Sequence, residues 1–158
     1  MGIILKTQEL NKISDLKSAE QKLVLVGGCF DILHVGHIEF LKKAKKEGDI
    51  LIVLLESDEK IKKLKGKTRP INTQKTRGKI LSNLPFVDYI ICLPNFKNNN
   101  DYETLVKQIE PDIIALTAGE PVFEWEKDYV NETGGKIVEV IDRIKEHSTT
   151  ELTQRVKI

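Results

Sequence analysis

Apolar residues along this chain concentrate in five short segments, at 23–27, 49–55, 89–93, 113–116 and 137–141, the first four with apolar runs of at least four residues and the last interrupted by Glu139. Continuous rather than alternating apolarity predicts strands covered on both faces, as in a parallel sheet. Between the runs, residues 8–20, 36–47, 73–84, 102–109 and 122–132 read as helices. Leu10, Ile13 and Leu16 share one stripe of the first, and Ile38, Leu41 and Ala44 one stripe of the second. Gly48 marks the end of that second helix, and Asn72 or Thr73 caps the third. Residues 57–70 are polar and lysine-rich, 94–101 form an asparagine-rich loop, and Gly134-Gly135 turns into the last run. A C-terminal helix is expected over 149–157. Strand and helix thus alternate five times. The expected fold is α/β: one doubly wound, Rossmann-like domain, a five-stranded parallel sheet of order 3-2-1-4-5 with right-handed crossovers. Residues 1–20 supply a leader helix and 21–158 the core, with no linker and no internal repeat. Ligands of such sheets bind at the carboxyl ends of the strands, where the strand order reverses.

Composition changes this picture little. The 158 residues are 40% hydrophobic and 31% charged with a formal net charge of +1, so no bulk charge draws the chain to nucleic acid or a membrane surface. Cys29 and Cys92 sit in apolar, strand-like contexts without metal-ligand spacing, which suits a reducing compartment. No apolar run reaches membrane-spanning length, and Met1 to Lys6 lacks the long apolar core of a signal peptide. A cytoplasmic protein, without membrane insertion and without a protein-held metal site, is expected.

The chemistry concentrates at the first crossover. Gly27-Gly28-Cys29-Phe30-Asp31 leaves the first strand, and His34-Val35-Gly36-His37 opens the next helix. Glycine lets backbone approach a ligand closely, and a helix start presents unpaired N–H groups and positive potential that suit phosphate. Two imidazoles three residues apart share a helix face and add donors that can charge near neutral pH. Two histidines alone leave a zinc site incomplete, so a triphosphate is the better-matched guest. Arg77 lies in step with Leu81 and Leu84 on an apolar stripe, and a buried guanidinium needs an anionic partner, either a carboxylate or a phosphate. Ser148-Thr149-Thr150-Glu151 reads as a capping box whose remaining N–H groups are free for an anion. The basic run Lys60, Lys62, Lys63, Lys65, Lys67 and Arg69 is expected to be solvated at Lys60 and Lys62.

Gly28-Cys29-Phe30-Asp31 followed by His34-Val35-Gly36-His37 resembles the HxGH nucleotidyltransferases, in their cytidylyltransferase-like branch. Leu64 to Asn72 and the leader helix are similar to the adenylyltransferase domain of the ADP-heptose synthase group. Arg143 followed by His147-Ser148-Thr149-Thr150 resembles the superfamily's arginine and Ser-Thr-Thr signature. The glycerol-3-phosphate cytidylyltransferases belong to the same branch. The resemblance covers nearly the whole chain.

That resemblance implies transfer of a nucleoside monophosphate from a nucleoside triphosphate, with ATP favoured, to a phosphorylated small-molecule acceptor of sugar-phosphate type. Pyrophosphate leaves and no covalent enzyme intermediate forms. It also implies Mg²⁺ held mainly through the nucleotide phosphates, and a homodimer. The catalytic set would be His34, His37, Lys65, Arg77 and Arg143, with Lys67 second to Lys65 on a closing segment. Gly28, Cys29, Phe30, Asp31, Gly36, Thr117, Gly119, Ser148, Thr149 and Thr150 would bind the nucleotide, Cys29 as packing rather than nucleophile. Glu39 stands where relatives sometimes contact the acceptor. The chain departs from the family at Leu116-Thr117-Ala118-Gly119-Glu120, where a glycine-rich turn with an aspartate is usual. The competing expectations are a CTP-dependent glycerol-3-phosphate or amino-alcohol-phosphate cytidylyltransferase, a flavin mononucleotide adenylyltransferase, and a catalytically weak nucleotide-binding module.

Overall fold

A computed structural model describes residues 1–18 and 20–142, the side chains of 15–18 excepted. Arg143, Ser148, Thr149, Thr150 and the expected C-terminal helix lie outside the described residues. The strands are β1 (Ile3–Lys6), β2 (Leu23–Gly28), β3 (Ile50–Leu55), β4 (Tyr89–Cys92), β5 (Ile113–Thr117) and β6 (Lys136–Ile141). The α-helices are α1 (Asn11–Ser18), α2 (Val35–Lys46), α3 (Asp58–Lys65), α4 (Gln74–Ser82), α5 (Asn99–Ile109) and α6 (Glu124–Thr133). All described strands pair in parallel, in the order β1-β4-β3-β2-β5-β6.

The continuous apolar runs explain the layering. Val24, Val26 and Val53 pack against Leu41 and Ala44 of α2 and Leu81 of α4 on one face. Leu23, Leu25 and Ile52 pack against Val106 of α5 and Tyr129 of α6 on the other. Successive residues of one strand serve opposite faces, so both must be apolar.

Four expectations need correction. The sheet has six strands, not five. The added strand, β1, lies outside β4 with Ile3 opposite Tyr89 and Lys6 opposite Cys92. It is a short edge strand that buries a single apolar side chain, Leu5, while Ile3 and Ile4 stay exposed. The expected first helix is split into a 3₁₀ turn at Thr7–Glu9 and the shorter α1. The polar stretch after β3 folds as α3. Ser57 caps it, accepting from the Lys60 N–H at 3.1 Å, and acids at its start with lysines at its end complement the helix dipole. Only Ile61 of α3 is buried, so the helix has no apolar stripe to read. Thr73 is the cap of α4, and α5 starts earlier than expected because Asn98 and Asp101 form a capping box.

The switch point lies between β2 and β5. β2 stays paired with β3 through Gly28 and Leu55. With β5 it pairs only at Val24–Ile113 and Leu25–Ile114. Beyond Leu25 the two strands part, and a crevice opens at their carboxyl ends.

Candidate active site at the first crossover

Gly27 and Gly28 end β2 at the mouth of that crevice. A Cβ at Gly27 would meet nothing within 4 Å. A Cβ at Gly28 would stand 2.7 Å from Phe30 Cε2, because the chain turns back at Phe30 with φ +45°. A left-handed conformation is uncommon for a bulky residue and costs energy that the surrounding packing must supply. Here the Phe30 ring is buried against the core and 5.2 Å from the His37 ring.

His34 is the N-cap residue of α2, and its side chain makes no cap hydrogen bond. Its ring stacks on His37 with centroids 3.8 Å apart. Burial, the adjacent His34 and the Lys65 charge push His37 down to about 3, against the opposing pull of a backbone hydrogen bond at Ile32. His37 is therefore a neutral imidazole at physiological pH, held where an anion would favour its charged form. Gly36 lies half-buried in the first turn of α2. Lys65 ends α3 with its side chain exposed, close enough for its charge to act on His37 and Cys29. Gly28, Phe30, His34, Gly36 and His37 lie together at this crossover, within reach of the Lys65 charge.

Asp31 and Arg77 have other tasks than touching phosphate. Arg77 is fully buried and donates from Nε to the Asn72 carbonyl at 3.0 Å. Its two terminal nitrogens donate to the carbonyls of Cys29 (2.6 Å) and Glu56 (2.8 Å) and to Asp58 Oδ1 (2.7 Å). Its anionic partner is thus the Asp58 carboxylate. The expectation of a phosphate ligand is corrected, since four of the five guanidinium donors are used by the protein. Arg77 is a positioning residue that ties the ends of β2 and β3 to α4. Asp31 accepts from Arg69 Nε at 2.6 Å and from the N–H groups of Ile71 and Asn72 at 2.9 Å each. Burial opposes its charge, but these donors outweigh burial and hold the carboxyl below the usual range. Asp31 therefore clamps the segment after α3 rather than presenting a free carboxylate to a nucleotide.

Cys29 lends its carbonyl to Arg77, and burial pushes its thiol up, opposite to what a nucleophile needs. Thr117 and Gly119 form a tight turn after β5, closed by Glu120, whose carboxylate accepts from the Thr117 N–H at 3.3 Å. Glu39 pairs with Lys42 on the surface of α2.

A cavity of about 490 Å³ runs from Gly27 and Gly28, past Glu56 and Tyr102, to Trp125. Tyr102 donates to Glu56 at 2.9 Å, and Lys60 Nζ lies 5.5 Å from the Tyr102 ring centroid. Lys60 is half-buried and lines this cavity, while Lys62 is exposed. Burial raises the Glu56 carboxyl despite Tyr102 and Lys60. Glu56, Tyr102 and Trp125 belong to no motif in the sequence. The available signal was Glu56 itself, a charge placed directly after the apolar run of β3 at a carboxyl end. Among the described residues no cluster of three or more His, Cys, Asp or Glu could hold a metal ion. No helix among them is long and apolar enough to cross a membrane.

Comparison with known proteins fits this geometry. Residues 25–155 match the family model described as cytidylyltransferase-like. The bifunctional protein HldE of a Nitratiruptor species is 40% identical over 151 residues, 95% of this chain and 31% of the relative. That of Helicobacter hepaticus is 42% identical over 145 residues, 92% of this chain and 28% of the relative. The chain thus spans about a third of the length of these curated relatives. The crystal structure of a lipopolysaccharide core biosynthesis protein from Thermoplasma volcanium superposes with a TM-score of 0.59 at 34% identity, covering 81% of this chain and 99% of that one. Pantoate-β-alanine ligase from Francisella tularensis, 18% identical with a TM-score of 0.63 over 99% of this chain and 77% of that one, shares the fold alone. With a glycine strand end and a histidine pair gathered at the switch point, the chain belongs to the cytidylyltransferase-like family and is a nucleotidyltransferase.

Proposed function

We propose that the enzyme transfers AMP from ATP to the phosphate of a sugar-phosphate acceptor and releases pyrophosphate. The observation that carries this reading is the stacked His34–His37 pair at the start of α2, beside Gly27 and Gly28. Support for a sugar phosphate comes from the lipopolysaccharide core protein, because lipopolysaccharide cores are built of sugars, and from the similarity to HldE.

In the proposed reaction an acceptor phosphate oxygen forms a bond to the α-phosphorus. The bond from that phosphorus to the bridging oxygen of the β-phosphate breaks, and its electron pair leaves with pyrophosphate. The unpaired N–H groups at the start of α2 bind the triphosphate in its ground state. His34 and His37 donate to oxygens that gain charge as phosphorus becomes five-coordinate. Lys65 adds a movable charge from the end of α3. Mg²⁺ prefers oxygen ligands and keeps part of its shell on substrate phosphates. Asp31 is committed to Arg69, Ile71 and Asn72, which suits a metal held by the triphosphate rather than by this carboxylate. When bound, Mg²⁺ would neutralise charge on the phosphates.

The test is product identification. The enzyme is incubated with Mg²⁺, ATP or CTP, and each of glucose 1-phosphate, a heptose 1-phosphate and glycerol 3-phosphate. Mass spectrometry should find an ADP-sugar and equimolar pyrophosphate. A CDP-product formed in preference would assign the enzyme to CTP instead.

A further inference from the structure

We propose that the cavity between Gly28 and Trp125 is an acceptor subsite that selects a neutral, polyhydroxylated body and rejects a second anionic group, with Glu56 as its specificity-determining residue. This rests on the transfer reading, since it places the acceptor's phosphate at the Gly27–Gly28 end. The cavity, at about 490 Å³, lies within the roughly 300–1,000 Å³ typical of small-molecule sites.

Its lining states the chemistry. One wall is apolar, with Leu25, Val106, Ile114 and Leu116. The far end carries Trp125, whose indole Nε1 is buried without a hydrogen-bond partner among the described residues. A buried donor lacking an acceptor is costly, and a ligand hydroxyl oxygen would remove that cost. The indole face also suits the apolar face of a sugar ring.

On the opposite side, Glu56 receives the Tyr102 hydroxyl on both oxygens, at 2.9 and 3.1 Å. Tyr102 is itself braced edge-on by Phe96, with ring centroids 5.0 Å apart. The Ser57 N–H also donates to this carboxylate, and the two donors still leave part of its acceptor capacity open for a ligand hydroxyl. A carboxylate accepts hydroxyls but repels another carboxylate or phosphate. Glu120 and Glu126 line the same cavity, against the single cation Lys60 among its lining residues. With three acids to one base in the lining, an anionic body would find little counter-charge there. Anionic bodies are excluded by unpaired like charge, which is the stronger lever for specificity.

Trp125 is the chain's single tryptophan, so its emission reports occupancy of this cavity without turnover. The experiment titrates glucose 1-phosphate and glucuronic acid 1-phosphate into the wild type, Glu56→Gln and Tyr102→Phe, each checked for folding by thermal melt. In the wild type, glucose 1-phosphate should bind at least about tenfold more tightly than its glucuronate counterpart. Glu56→Gln keeps size and an acceptor for Tyr102, and should narrow that gap to about threefold or less. Tyr102→Phe should weaken both sugars while preserving the gap. Equal affinities in the wild type, an unchanged gap in Glu56→Gln, or no Trp125 response to either sugar would overturn the proposal. So would displacement of the sugar by ATP from the Trp125 end. Pyrophosphate release is assayed in parallel. Release with a silent Trp125 sinks the subsite alone, whereas a Trp125 response without release sinks the transfer reading and with it the acceptor role, leaving a sugar-binding cavity.

Discussion

The Phe30 ring rests on the backbone of Gly28, leaving no room for a side chain there. A Cβ at 28 would lie 2.7, 3.0 and 3.2 Å from three atoms of that ring. The ring is held by the core and by its left-handed backbone, so it cannot swing aside freely. Gly28→Ala should cost about 1–3 kcal/mol of stability through overpacking, and displace Phe30 from His37. Gly27→Ala, with nothing within 4 Å, should change stability by less than about 0.5 kcal/mol yet weaken triphosphate binding. Thermal melts paired with calorimetric ATP titrations check both. Equal stability losses would mean that the two glycines serve the strand rather than a ligand.

Asp31 should govern acid stability through its clamp on residues 69–72. Its folded carboxyl titrates below its ordinary value near 3.8. The stabilisation is therefore present above the unfolded value and lost as pH falls through the folded one. Asp31→Asn removes the charge opposite buried Arg69 and should cost about 3 kcal/mol at pH 7. The mutant's urea midpoint should then lose part of the wild type's acid dependence below about pH 4. A mutant with wild-type stability at neutral pH would contradict the clamp.

His37 should make stability depend on pH in a separate window. Its folded value near 3 lies below the ordinary 6.5, so the unfolded chain binds more protons between the two. Stability should therefore fall as pH drops from about 6.5 toward 3. His37→Gln should flatten that slope. A triphosphate should raise the value again, so ATP binding near pH 6 should take up protons. Calorimetry in two buffers of different ionisation enthalpy reads this directly, and binding without uptake would place the triphosphate away from His37.

Arg77 separates what spacing reveals from what it cannot. Its periodicity with Leu81 and Leu84 announced a buried arginine with an anionic partner. It could not say which, because Asp58 and the carbonyls of Cys29 and Glu56 arrive from distant parts of the chain. The same limit hid β1, whose partner β4 lies more than 80 residues away. It also hid the Glu56–Tyr102 pair, 46 residues apart. The four inner strands were legible because burial on both faces leaves a continuous apolar run, and the edge strand β6 was legible from its valines and isoleucines after Gly134-Gly135. Helix α3 was not, since capping and charge placement hold it rather than an apolar face.

Arg77→Lys should accordingly behave as a structural lesion. A lysine cannot serve three carbonyls and a carboxylate from one planar fork. Losing these bonds in a fully buried position should cost about 3–5 kcal/mol. Turnover and nucleotide affinity should fall together with the melting temperature. A stable mutant that binds ATP normally but turns over slowly would return Arg77 to direct catalysis.

In the proposed reaction the histidine pair at the start of α2 acts on the triphosphate during transfer. The most direct measurement compares pyrophosphate release and ATP affinity for the wild type and His37→Ala, with Mg²⁺ and a saturating sugar-phosphate acceptor. Loss of a donor used in the transition state should lower kcat about a hundredfold or more while the ATP dissociation constant moves only a few-fold. Full turnover in His37→Ala, or a loss confined to ATP affinity, would contradict the account.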